Sequence, residues 1–150
     1  MTNFNLISEE LTLQFQDEII TLQLAAQGIQ GPSGSGGSNP AYPVAESISA
    51  LRVCALNASN LLVLADCTNP DHAFRLVGLQ QTAVSVGSAT PLVSGIVSDS
   101  NWAWDGSRPI WLGSLGFLTQ VPPASGFLVQ VATPLTPTTI HFEIQETTVL

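Results

Sequence analysis

Residues 11–16, Leu-Thr-Leu-Gln-Phe-Gln, alternate apolar and polar side chains with a period of two, and residues 20–24, Ile-Thr-Leu-Gln-Leu, repeat the pattern. That period puts successive side chains on opposite faces of a strand. Asp17-Glu18 between the runs is a polar turn. The pattern therefore predicts a hairpin with Leu11, Leu13 and Phe15 on one face and Ile20, Leu22 and Leu24 on the matching face of the partner strand. A lone two-stranded hairpin is marginal in water. These six residues are accordingly candidates for docking on a neighbouring copy or another protein, through an apolar face and free strand edges. The alternative is that the hairpin folds back on its own body.

The alternation stops at Gly28. Residues 28–37 read Gly-Ile-Gln-Gly-Pro-Ser-Gly-Ser-Gly-Gly, with glycines at 28, 31, 34 and 37 in the phase of a collagen-like triple helix, where only glycine fits at the axis. So short a run does not hold a triple helix alone. Either three chains run side by side here, or this is a Gly/Ser linker that happens to be in phase. Both readings give the same division: a hairpin arm over 1–27, a Gly/Pro/Ser-rich linker over 28–43 and a body over 44–150.

In the body the apolar pattern predicts short strands. Residues 51–56 and 61–65 flank Asn57-Ala58-Ser59-Asn60, a turn rich in side chains that tolerate left-handed backbone, and form a hairpin. Asn57-Ala58-Ser59 also fits a glycosylation sequon, but the turn accounts for it. Ser47 as a weak N-cap suggests one helical turn over 46–51. Strands are expected over 73–79, 82–86 and 90–98, with Gly95 marking a bulge or a close backbone approach. Further strands are expected over 110–113, 116–120, 127–131 and 139–144, the last with Ile140, Phe142 and Ile144 inward and His141, Glu143 and Gln145 towards water. The fold class expected is all-β: a hairpin arm, a linker and a small antiparallel barrel or sandwich.

Composition adds a reason to expect association. Hydrophobic residues make up 45% of the 150 and charged residues only 9%, so a monomer would expose apolar patches of the kind that mark interaction sites. Lysine is absent, the arginines are Arg52, Arg75 and Arg108, and the formal charge is −8. Nucleic acid is an unsuitable partner for such a chain, because phosphate binding needs clustered cations. No basic leader and no run of about 18 apolar residues is present, so the expectation is a soluble protein made in a cytoplasm, with no membrane partner. Cys54 and Cys67 are expected as buried free thiols rather than a disulfide. His72 and His141 stand at no ligand-like spacing to them, so no metal or cofactor is expected.

The loop 99–106, Asp-Ser-Asn-Trp-Ala-Trp-Asp-Gly, is the most distinctive stretch. Trp102 and Trp104 share a face if the segment is extended, and Trp111 follows closely. Aromatic rings beside Asn and Asp suit a glycan surface. The reading preferred here is that the three rings cluster over one end of the fold or pack across a subunit boundary. Asp99 and Asp105 could be read as a glycosidase pair, but acidic loop residues are ordinary in so acidic a chain, and no nucleophile motif, phosphate loop or ligand set accompanies them. No catalytic residue is assigned.

The run from Trp102 to Gly113, followed by Gly116-Phe117-Leu118-Thr119-Gln120, Pro122-Pro123, Ser125-Gly126-Phe127 and Thr138-Thr139-Ile140, resembles the C-terminal β module of tailed-phage virion proteins. Such modules occur in capsid decoration, cement and head-fibre proteins and in collagen-linked tail proteins. The resemblance spans residues 44–147 and carries structural rather than catalytic motifs. It implies a non-enzymatic virion protein, assembled in the host cytoplasm, that docks on the shell as a homotrimer with the major capsid protein or other virion proteins as partners. The alternative it implies is a tail-fibre or baseplate component that contacts host glycans through Trp102, Trp104 and Trp111.

Overall fold

A computed structural model describes residues 39–150. The hairpin arm, its six docking residues and most of the linker lie outside the described residues. Twelve strands follow in chain order: β1 (Tyr42–Pro43), β2 (Arg52–Leu56), β3 (Leu62–Leu64), β4 (Leu76–Gln80), β5 (Ser88–Ala89), β6 (Ser94–Ser98), β7 (Ile110–Leu112), β8 (Leu118–Thr119), β9 (Phe127–Leu128), β10 (Gln130–Thr136), β11 (Thr139–Glu143) and β12 (Thr148–Val149). Single 3-10 turns at Pro70–His72 and Ser114–Gly116 are the helical elements among the described residues. The fold is all-β.

The expected β2–β3 hairpin forms with Cys54 opposite Leu64 and Leu56 opposite Leu62. Asn57 builds its turn: the side-chain oxygen Oδ1 accepts the Ser59 and Leu61 amide hydrogens at 2.9 and 3.0 Å, and Asn60 takes the left-handed conformation with φ of 62°. With β4 on its other edge, β2 is the centre of a three-stranded sheet, and β6-β11-β10-β7-β8 is a second sheet of five. β1 pairs with β5 and β12 with β9. All strand pairs are antiparallel. Among the described residues the sheets are open, each ending in strands with one partner, so of the expected barrel or sandwich the barrel is corrected. The short strands and frequent proline and glycine interruptions leave no continuous ladder to close.

The buried residues explain why the two larger sheets meet. Val53, Ala55 and Leu79 from the three-stranded sheet share one apolar cluster with Val97, Ile110, Leu112, Val131, Ile140 and Phe142 from the five-stranded sheet, and with Phe127 and Val129. Phe127 and Phe142 are fully buried, and each contributes about 1.5–3 kcal/mol by that burial. Cys54 points the other way, into a smaller cluster with Ile48, Leu62 and Ala89. β2 is thus covered on both faces, which is why its sequence is a nearly continuous apolar run. Both cysteines are buried and free, as expected.

Several boundaries differ from expectation. The helical turn over 46–51 is absent: Ile48 is extended and bridges Val84, exchanging backbone hydrogen bonds at 2.7 and 2.9 Å. Burial of Ile48 against the second cluster decides this over a weak cap. The strand expected over 82–86 shrinks to that bridge. The strand expected from 73 begins at Leu76, because Asn69 caps the 3-10 turn, accepting the Asp71 amide hydrogen at 3.0 Å, and Pro70 sits in its first position. β6 starts at Ser94 rather than 90 and runs in unbroken register with β11, so Gly95 makes no bulge. Its φ of 152° suits glycine, and it lies against the Leu92 side chain. Tyr42 and Pro43, placed in the linker by composition, pair with Ala89 and Ser88.

Candidate functional site

The distinctive loop is fastened by its own backbone. Asp99 donates its amide hydrogen to Thr138 O at 2.9 Å, Trp104 donates to Pro137 O at 2.8 Å, and Trp102 donates back to Asp99 O at 3.1 Å. The loop is thereby laid along the β10–β11 turn. Trp102 and Trp104 meet with ring centroids 5.5 Å apart and planes inclined at 55°, and both pack against the main core. The same-face expectation therefore holds for this pair. Trp111 is elsewhere: it lies in β7 opposite Gln130 and Thr119, on the face away from buried Ile110 and Leu112.

A cavity of about 350 Å³ opens beside the indole pair, lined also by Leu51, Arg52, Phe117 and Leu118. Arg52 enters it from the start of β2, and its guanidinium carbon lies 3.7 Å from the centroid of the Phe117 ring. That stacking holds the planar cation in place. Its one hydrogen bond among the described residues is long, from Nη1 to Leu115 O at 3.4 Å. The Trp104 indole N–H is buried and has no hydrogen-bond partner among the described residues.

The acidic residues of the loop are occupied by turns. Asp99 Oδ1 accepts the Asn101 amide hydrogen at 2.7 Å. Asp105 Oδ1 accepts the Ser107 amide and hydroxyl hydrogens at 2.9 and 2.7 Å, and those bonds hold its carboxyl below the ordinary range. Gln120 clamps the same turn by donating to Asp105 O and Arg108 O at 2.8 and 2.7 Å.

A second cavity, about 580 Å³, is lined by Glu46, Asp66, Thr68, Asn69, His72 and Leu115 among others. His72 is buried and its Nδ1 accepts the Asp66 amide hydrogen at 3.0 Å. Burial holds the imidazole below its ordinary pKa, against the pull of Asp66, Asp71 and Glu46. Burial pushes the Asp66 carboxyl up, but hydrogen bonds from the Thr68 hydroxyl and amide and the Leu115 amide outweigh it and leave it lowered. The result is a neutral histidine beside an ionised aspartate, both engaged in holding the chain between β3 and β4. Among the described residues no group of three His, Cys, Asp or Glu side chains is placed to share a metal ion. Glu46 is occupied as well, accepting the Leu64 amide hydrogen at 2.8 Å.

The sequence singled out the indoles but missed Arg52 and Phe117. They are 65 residues apart, and nothing local in either stretch announces their contact. Compared with protein-family models and with curated proteins, the sequence matches none.

Proposed function

We propose that this chain is a non-enzymatic structural protein of a tailed-phage virion, a capsid decoration or cement protein or short head fibre. It docks on the assembled shell through residues 1–27 and associates as a homotrimer. The supporting observation is the edge at β6. This strand, Ser-Gly-Ile-Val-Ser, pairs with β11 on one side, and among the described residues it has no strand on the other. It carries no charge and no proline, and Ile96 is 60% exposed. Edges of stable monomers are blunted by such residues because bare ones recruit further strands. Phe74 and Val86, 78% and 80% exposed, add apolar surface in a chain with few charges to mask it.

The test is sedimentation equilibrium of the full chain with and without Ile96→Lys. The expected result is a trimer that dissociates on substitution. A monomeric wild-type chain overturns the trimer. Deletion of residues 1–27 is expected to abolish incorporation into particles while leaving the body folded; unchanged incorporation overturns the docking role of the arm.

A second reading is favoured by the meeting of Trp102 and Trp104 at an open cavity: a tail-fibre or baseplate component that contacts host-surface glycans. Saturable change in tryptophan fluorescence with host polysaccharide, lost in Trp104→Ala, is its expected signature. Trp111 lies outside that cavity, so Trp111→Phe is expected to leave the titration unchanged.

A further inference from the structure

The three arginines are used very differently. Arg75 spends its guanidinium on the β2–β3 turn, with Nε and Nη2 donating to Leu56 O, Asn57 O and Asn60 Oδ1 at 2.7–3.0 Å. Arg108 is exposed and makes a 3.4 Å contact to Gln120 O. Arg52 is half-buried, stacked on Phe117 and beside the indole pair, and no carboxylate pairs with it among the described residues. In a chain of net charge −8, a held cation that no described carboxylate meets is informative.

We infer that the cavity formed by Arg52, Phe117, Trp102 and Trp104 binds an acidic sugar residue, a hexuronate. The inference rests on the glycan reading of the indole pair and names the ligand class. Indole faces stack on the apolar face of a pyranose ring. The guanidinium is centred over the Phe117 ring and makes only the long contact of Nη1 to Leu115 O, so N–H donors remain available, and their fork matches a carboxylate in parallel hydrogen bonds. At about 350 Å³ the cavity lies at the small end of ligand sites, the scale of one ring within a longer saccharide.

The experiment titrates the full chain, followed by tryptophan fluorescence, with galacturonate, glucuronate and mannuronate trisaccharides and with their methyl esters, which keep the sugar and remove the charge. At least one free acid is expected to bind saturably and at least about tenfold more tightly than its ester, the loss expected when a charge-assisted pair is removed. Arg52→Gln is expected to bring acid and ester to equal affinity, with Arg52→Lys retaining part of the preference. The comparison of acid with ester needs no variant, so a misfolded Arg52→Gln leaves the test intact. Equal binding of acid and ester by the wild-type chain overturns the uronate assignment while leaving a glycan surface standing. Absence of binding by every saccharide and by host polysaccharide removes both.

Discussion

Phe127 donates its amide hydrogen to the carbonyl of Cys67 at 2.9 Å, and this bond draws the backbone before β9 flat against the chain that leaves β3. Gly126 sits at the point of closest approach with φ of 88°, where an added Cβ would collide with Cys67 O and crowd the Cα of Thr68. Gly126→Ala therefore meets both left-handed strain and backbone overlap. A loss of about 2–3 kcal/mol is expected from urea unfolding, while Gly106→Ala, with open space around it, is expected to stay within about 0.5 kcal/mol.

Arg75 ties β4 to the turn between β2 and β3 through three acceptors. Lysine keeps the charge but not the fork. Arg75→Lys is expected to cost about 1.5–3 kcal/mol, read from the shift in urea midpoint at unchanged slope. Little change would mean that water replaces the fork at this partly exposed site.

Acid sensitivity should begin at His72. Its folded-state pKa lies below the ordinary 6.5 because it is buried, so the unfolded chain takes up the proton first. The stability carried by the neutral ring is full above about pH 6.5 and is lost as pH falls from there through the lower folded value. Urea midpoints at pH 7.5 and 5.5 are expected to fall for the wild type and to fall less for His72→Asn. Asp66, whose carboxyl is lowered from 3.8, adds its own loss only below that value.

The thiols give an alkaline counterpart. Burial pushes Cys54 up to about 12 from 9.0 and raises Cys67 as well, with Asp66 contributing. Both should resist a thiol-specific reagent at pH 8 in the native protein and react fully in urea, because the thiolate is the nucleophile. Their contribution to stability is complete below about pH 9 and declines as pH rises through the folded values. Rapid native labelling of either cysteine would contradict this.

How much was legible in the sequence depends on whether the deciding contact was local. The β2–β3 hairpin was, since Asn57 makes its turn within four residues. Ile140 and Phe142 were, since alternation alone points them inward. The lost helical turn at 46–51 was not, because Val84, far along the chain, captures Ile48. Pro134 hid the length of β10: proline normally argues against a central strand, yet β7 reaches only Gln130 and Ala132, leaving Pro134 without a ladder on that side. At the cavity, the indole spacing was readable, whereas the Arg52–Phe117 stack joins sequence stretches that share no pattern.

The β9–β12 pair has a consequence for biosynthesis. Val149 lies opposite Phe127, and Leu150 donates its amide hydrogen to Gly126 O at 2.9 Å. β9 therefore has its antiparallel neighbour in residues 148–149, so this ladder closes only after the intervening residues 129–147, including the β10–β11 hairpin, have been made. Breaking the pairing of residues 148–150 would leave β9 unpaired at Phe127, whose ring is fully buried.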